Sequence, residues 1–135
     1  MDKVVYKEFS YKITGLLFKA HNDLGRYKNE KQYADYFETL LNKNKIKYKR
    51  ECHLNQSFEG EKEGRCICDF VVDDKIVIEF KTVKFLSRED YFQIKRYLSC
   101  SNLRLGILVN FRQNYITPKR ILNNELLKKD LQINL

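Results

Sequence analysis

The segment KIVIEFKTV, residues 75–83, constrains the fold more than any other part of the chain. Apolar residues occupy both of its alternating faces, the pattern of an interior strand covered on either side. A sheet covered twice needs helices on both faces, which places the chain in the α/β class, with a compact layered sandwich as the expected form. Glu79 and Lys81 interrupt that run. A charge inside a doubly covered strand is unfavourable unless it has a partner, so both residues demand an explanation.

Spacing supplies the elements around this strand. Ser10 is read as the cap of a first helix whose apolar positions Ile13, Leu16, Leu17, Ala20 and Leu24 recur at three and four residues. Gly25 is placed to end it in a left-handed conformation. A second helix is expected from about Asn29 to Asn42, packed through Tyr33, Phe37, Leu40 and Leu41 with Tyr36 alongside. Glu30 falls on that apolar face, in the first turn, where the helix dipole favours an anion. Lys45 to Leu54 alternates as a strand, and its Lys45, Lys47 and Lys49 either meet phosphates or protect a sheet edge, the second being favoured.

Glu59 to Gly64 reads as a turn, and strands are expected at Arg65–Val72 and Lys75–Val83, joined at Asp73-Asp74. Ser87 and Asp90 make an approximate capping box for a third helix with a buried stripe of Tyr91, Ile94 and Leu98. Gln93 and Tyr97, four apart, share a neighbouring face and both can reach inward. Another strand is expected at Arg104–Val109, a turn near Arg112–Asn114, and a short strand near Tyr115–Thr117. The leucines at 122, 126, 127 and 131 give the tail helical spacing, so residues 122–135 are read as an accessory helix or a dimer contact. At 135 residues, one domain with one core is expected.

A formal charge of +8 favours a polyanionic partner, nucleic acid before an anionic membrane, although it also fits plain solubility. Cys52, Cys66, Cys68 and Cys100 contain no C-x2-C pair, and their spacing supports neither a zinc knuckle nor an iron–sulfur cluster. They read as reduced, partly buried thiols of a cytoplasmic protein. No signal-peptide run and no apolar stretch of membrane length occur, so no membrane partner is expected.

Whether the charged residues form a site depends on register. Glu79 and Lys81 face the same way by the two-residue period. A two-residue turn at Asp73-Asp74 would set Asp69 opposite Ile78 and turn it away from Glu79. A three-residue connection, or one bulge, would pair Asp69 with Glu79, and this is the arrangement expected. Two hard carboxylates and the backbone carbonyl of Phe80 would then suit Mg²⁺ or Mn²⁺, with Glu30 reaching the ion through a water or binding a second one. Such an ion activates water for attack on a phosphodiester, Lys81 can hold that water or neutralise developing charge, and Gln93 can orient Lys81. The bland alternative is a structural ion pair of Glu79 with Lys81, and the residues alone leave both readings open.

HNDLGRYKNEKQY (21–33), ICDFVVDDKIVIEFKTV (67–83), QIKRYL (93–98) and LGILVNF through PKRI (105–121) together resemble the GxxExxY protein family within the PD-(D/E)XK nuclease superfamily. The likeness covers about residues 10–121. It implies a restriction-endonuclease-like core, a central mixed β-sheet flanked by helices. It also implies that Asp69 and Glu79 are metal carboxylates, Lys81 the catalytic lysine, and Glu30 and Gln93 the helix glutamate and glutamine, with Tyr33 as the tyrosine of the naming motif. Tyr27 replaces that motif's first glycine, and Cys68 stands where the superfamily signature has proline. The implied activity is metal-dependent hydrolysis of nucleic acid, with DNA the favoured polymer and a homodimer one assembly the likeness allows. A non-catalytic nucleic-acid-binding module, or an interaction protein that keeps the fold, is the alternative. His21 lies beside the apolar stripe, and a structural role is favoured for it over a place in the site.

Overall fold

A computed structural model describes residues 5–133. In chain order the elements are α1 (Lys7–Leu24), α2 (Glu30–Lys43), β1 (Tyr48–His53), β2 (Ile67–Val72), β3 (Ile76–Lys81), α3 (Arg88–Ser101), β4 (Leu105–Asn110), β5 (Lys119–Leu122) and α4 (Asn124–Ile133). The strands form one sheet in the order β1-β2-β3-β4-β5, and the doubly apolar β3 takes the centre. It runs antiparallel to β2 and parallel to β4, while β1 and β5 add antiparallel edges. The architecture is therefore α/β with a central mixed sheet flanked by helices, as in restriction-endonuclease-like folds.

Each face of β3 has its own core. Ile76, Ile78 and Phe80 pack with α1 and α2, where Phe37, Phe70, Phe80 and Phe111 interlock. Phe37 meets Phe70 at a centroid distance of 5.1 Å and Phe111 meets Phe80 at 5.0 Å, both edge to face, the geometry that aromatic quadrupoles favour. Val77 packs on the other face with Ile94 and Leu98 of α3 and Leu108 of β4. Helix α3 approaches β4 closely because position 106 is glycine: a Cβ there would lie 2.8 Å from Ile94 Cδ1.

The hairpin connection has the expected length. Asp73 and Asp74 both adopt φ near +52°, a conformation aspartate tolerates better than most residues, and Lys75 N–H donates to Val72 O at 3.0 Å. Val72 then pairs with Ile76 and Phe70 with Ile78, a three-residue connection.

Several element ends differ from the sequence reading. Helix α1 starts at Lys7, so Ser10 is an interior helix residue: its N–H bonds Tyr6 O at 2.7 Å and its hydroxyl donates to Lys7 O. The first strand starts at Tyr48 instead of Lys45, because Lys45 and Ile46 still donate to carbonyls at the end of α2. It is an edge strand, and Lys47 and Lys49 lie 2.6 and 3.9 Å from Asp74 of the neighbouring hairpin. No strand forms at 115–117. Consecutive N–H groups for pairing with β4 begin only after Pro118, and Ile121 sits opposite Gly106. Leu122 belongs to β5 and faces Leu105, so the tail helix begins at Asn124. Asn123 caps it, accepting from Leu126 N–H at 3.2 Å, and Arg104 holds it through Asp130 at 2.9 Å. The ends of the tail expectation, residues 134 and 135, lie outside the described residues.

Candidate active site

Strands β2 and β3 fork where Asp69 and Glu79 stand. The backbone ladder runs from Val72↔Ile76 to Phe70↔Ile78, and the same register carried one step further sets Asp69 opposite Glu79. At that step the acceptors are side chains. Asp69 N–H donates to Glu79 Oε1 at 2.8 Å, and Phe80 N–H donates to Asp69 Oδ2 at 2.7 Å. Each carboxylate thus satisfies an N–H that the widening gap would leave without an acceptor. Side-chain alternation along β2 breaks at the same place: Phe70 and Val72 join the α1/α2 core, whereas Cys66, Cys68 and Val71 join the α3 core.

Lys81, two residues beyond Glu79, is held from α3. Its Nζ donates to Gln93 Oε1 at 2.7 Å and lies 3.8 Å from Asp90 Oδ1. The Ser87–Asp90 capping box fixes the first turn of α3 and with it the direction of both partners. Glu30 is the first residue of α2, capped by Asn29 and Gln32. The loop before it is pinned by Tyr33, whose hydroxyl donates to Gly25 O and receives Lys28 N–H at 3.4 Å. The Tyr33 ring stacks on Phe111 at 4.1 Å and 8°, so the α2 end is tied to the sheet. Glu30, Asp69, Arg50 and Glu51 line one open cavity of about 440 Å³.

The electrostatics are uneven. Burial, then the adjacent charge of Asp69, pushes the Glu79 carboxyl up to about 8. Burial also raises Asp69, against the opposing pull of the Phe80 N–H bond and Lys81. Glu30 is raised by partial dehydration at the mouth, opposed by Lys81 and reinforced by Asp69 and Asp90, although the residue as a whole is exposed. Tyr97, reaching inward from α3, is pushed up to about 12 by burial and by the charge of Glu79. A buried carboxylate and a half-buried one that resist ionising together are a strong point of attraction for a cation.

The donor set fits a hard divalent ion. One oxygen of each carboxylate is committed to a backbone N–H, which leaves Asp69 Oδ1 and Glu79 Oε2 without a protein donor among the described residues. No group of three or more His, Cys, Asp or Glu side chains assembles into a metal cage among those residues. One or two carboxylates without a dedicated cage is the ordinary provision for Mg²⁺, which keeps much of its water.

The structure therefore brings Asp69, Glu79, Lys81 and Gln93 together and places Glu30 within electrostatic reach of them. Three contributors escaped the sequence reading. Asp90 gave only a capping signal. Glu51, in the β1 position facing Asp69, has φ +49°, which sequence gives no means to foresee; its charge raises the Asp69 carboxyl. Asn110 ends the apolar run of β4 and is 2 % exposed. It receives Val83 N–H at 3.0 Å and donates to Val83 O at 2.7 Å, clamping the loop that leaves Lys81. A polar residue closing a fully buried strand was its available signal. His21 is buried, with Nε2 at 2.8 Å from Gln113 O and its ring over Phe111, a structural place apart from the carboxylates. All four cysteines are free thiols, three of them buried.

The family model described as the PD-(D/E)XK nuclease superfamily matches residues 7–121, and the chain belongs to that superfamily. Among solved structures it is similar to the protein SSO0001, with 20% identity over 90% of this chain and 74% of that one and a TM-score of 0.49. It is also similar to an alkaline exonuclease (LHK-Exo) from Laribacter hongkongensis, with 12% identity over 98% of this chain and 77% of that one and a TM-score of 0.48. No curated protein matches the chain by sequence. No helix among the described residues is long and apolar enough to cross a membrane.

Proposed function

We propose that this protein is a metal-dependent nuclease of the GxxExxY type that hydrolyses phosphodiesters in DNA. The observation that carries the reading is the fork: the buried Glu79 and half-buried Asp69 carboxylates, opposed in register, with the Lys81 ammonium anchored beside them by Gln93. Asp69, Glu79 and the Phe80 carbonyl would hold Mg²⁺ or Mn²⁺, with Glu30 at the outer side of the site. When bound, the ion supplies an activated water and charge neutralisation at the phosphate.

The chain's own groups do the rest. Lys81 places a fixed positive charge where the phosphoryl oxygens gain negative charge, and Gln93 keeps its Nζ from swinging to solvent. Asp90, 3.8 Å away, is a second partner that holds the ammonium in place. Glu30 narrows the mouth with negative charge, so that phosphate enters from the Lys81 side. The +8 charge draws the polymer to the surface with the salt dependence of any phosphate-binding protein. A homodimer would place two such sites on one substrate.

Labelled single-stranded, duplex and branched DNA, incubated with protein in Mg²⁺ or Mn²⁺ beside Glu79→Gln and EDTA controls, test this reading. Cleavage is expected from wild type alone. Salt-sensitive DNA binding in the absence of any cleavage would point instead to a non-catalytic binding module.

A further inference from the structure

Two large rings stand in water on the loops that adjoin Glu30 and Lys81 along the chain. Tyr27 is 80% and Phe85 76% exposed. Scattered exposed apolar residues need no explanation, but the placement of these two does. Tyr27 lies in the 25–29 loop that delivers the chain into Glu30. Phe85 lies in the 82–87 loop that leaves Lys81 and returns, through the Ser87 cap, to the helix carrying Asp90 and Gln93. Both loops thus begin or end on the residues of the site.

Both are also held in shape. Arg26 bonds Asn114 and Tyr33 bonds Gly25 on the first loop; Asn110 clamps Val83 from both sides on the second. A ring on a fixed loop loses little freedom when something lies against it. Each ring carries a cation from the preceding residue over one face, which leaves the opposite face for a partner. The Arg26 guanidinium is 5.0 Å from the Tyr27 centroid, and Lys84 Nζ is 5.8 Å from the Phe85 centroid. An open aromatic face with an adjacent positive charge matches one unit of a nucleic acid strand, a base with its phosphate.

Resting on the nuclease reading above, we infer that Tyr27 and Phe85 are stacking platforms for unpaired bases, so that the substrate of this site is a single strand or an unpaired segment of a duplex. In a fully paired duplex the base faces are covered by their neighbours, and neither ring has a surface to meet. A single strand offers a face at every nucleotide without regard to sequence, which predicts selection by strand state instead of by base. Aromatic rings with cations also suit an anionic membrane, but here the first loop runs into a cavity lined by Glu30, Glu51 and Asp69, whose negative charge disfavours an anionic lipid surface.

The test reads binding in EDTA, where cleavage plays no part. A single-stranded oligonucleotide, a blunt two-strand duplex of equal length with no unpaired bases, and vesicles containing phosphatidylserine are titrated against wild type, Tyr27→Ala, Phe85→Ala, and the Trp replacements of both. The single strand is expected to bind more tightly than the duplex. Each Ala substitution should weaken it roughly tenfold while leaving duplex binding unchanged, and Trp should restore it. A 2-aminopurine base in the strand should be quenched by wild type and not by the double Ala variant. Thermal unfolding checks that these exposed substitutions leave the fold intact. Equal affinities of wild type and Ala variants, duplex preferred over single strand, absence of nucleic acid binding, or vesicle binding lost through the same substitutions would each overturn the inference. The nuclease reading fails separately, through lack of Mg²⁺-dependent cleavage by a protein that still quenches 2-aminopurine.

Discussion

Replacing Glu79 by glutamine should stabilise the metal-free protein at alkaline pH while abolishing cleavage. An unfolded chain releases the Glu79 proton near 4.5, whereas burial and Asp69 hold it in the folded protein to about 8. Between those values the native state carries the extra proton. The stability this provides is full below pH 4.5 and is lost as pH rises through 8. At about 1.4 kcal/mol per tenfold change, the gap sets an upper bound on the order of 5 kcal/mol by pH 9. Water entry and relaxation of the fork reduce it, so a realised effect of about 2 kcal/mol is expected, or roughly 5–10 °C in Tm for a chain of this size. Glutamine keeps the acceptor for Asp69 N–H, lacks the charge, and can donate to Asp69. Calorimetry in EDTA should therefore find Glu79→Gln more stable than wild type at pH 9 and nearly equal to it at pH 4.5. Adding Mg²⁺ at pH 9 should raise the wild-type Tm and leave the variant unmoved. A Tm difference identical at the two pH values would refute the reasoning, since it would mean that Glu79 ionises in the ordinary carboxylate range and that the fork stores no repulsion.

Lys81→Met should lower kcat by about a hundredfold or more with little change in DNA affinity, and Gln93→Ala should lower it less, roughly tenfold, because Asp90 still holds the ammonium; single-turnover cleavage assays would separate the two. Gly106→Val should destabilise by about 1–3 kcal/mol, since the new side chain must displace Ile94 from β4, and urea unfolding with an unchanged m-value checks it. In thiol titration of the native protein, half-buried Cys52 should react first. Cys66, pushed up to about 11 by burial and by Cys100, and Cys68, raised by burial, should react only slowly until denaturant is added; early loss of three thiols would contradict the packing of β2 against α3.

The parts legible in sequence are those that depend on local pattern. The apolar run 75–83 placed β3 at the centre of the sheet, and the capping residues Asn29 and Ser87 mark true helix starts. The Asp69–Glu79 pairing was accessible as one of two alternatives, because the choice between a two-residue and a three-residue turn decides it. Element ends set by distant partners were not. Ser10 has the chemistry of a cap, yet the helix starts a turn earlier, and its hydroxyl meets Arg120 of β5. The leucine at 122 fits a helical repeat but is claimed by β4 through Leu105. Glu51 reaches the cavity through a left-handed backbone angle that no residue type announces.

The three-residue connection between β2 and β3 has an implication for how such a chain changes over generations. Deleting or inserting a single residue at Asp73–Lys75 would rotate Asp69 to the opposite side of the sheet relative to Glu79. The apolar residues on either side of β2, Phe70 and Val72 toward one core and Val71 toward the other, are similar enough that a folded protein could survive the slip. Parity of loop length at this turn therefore decides whether Asp69 and Glu79 meet, and a turn longer by two residues should rank among the forms that keep them together.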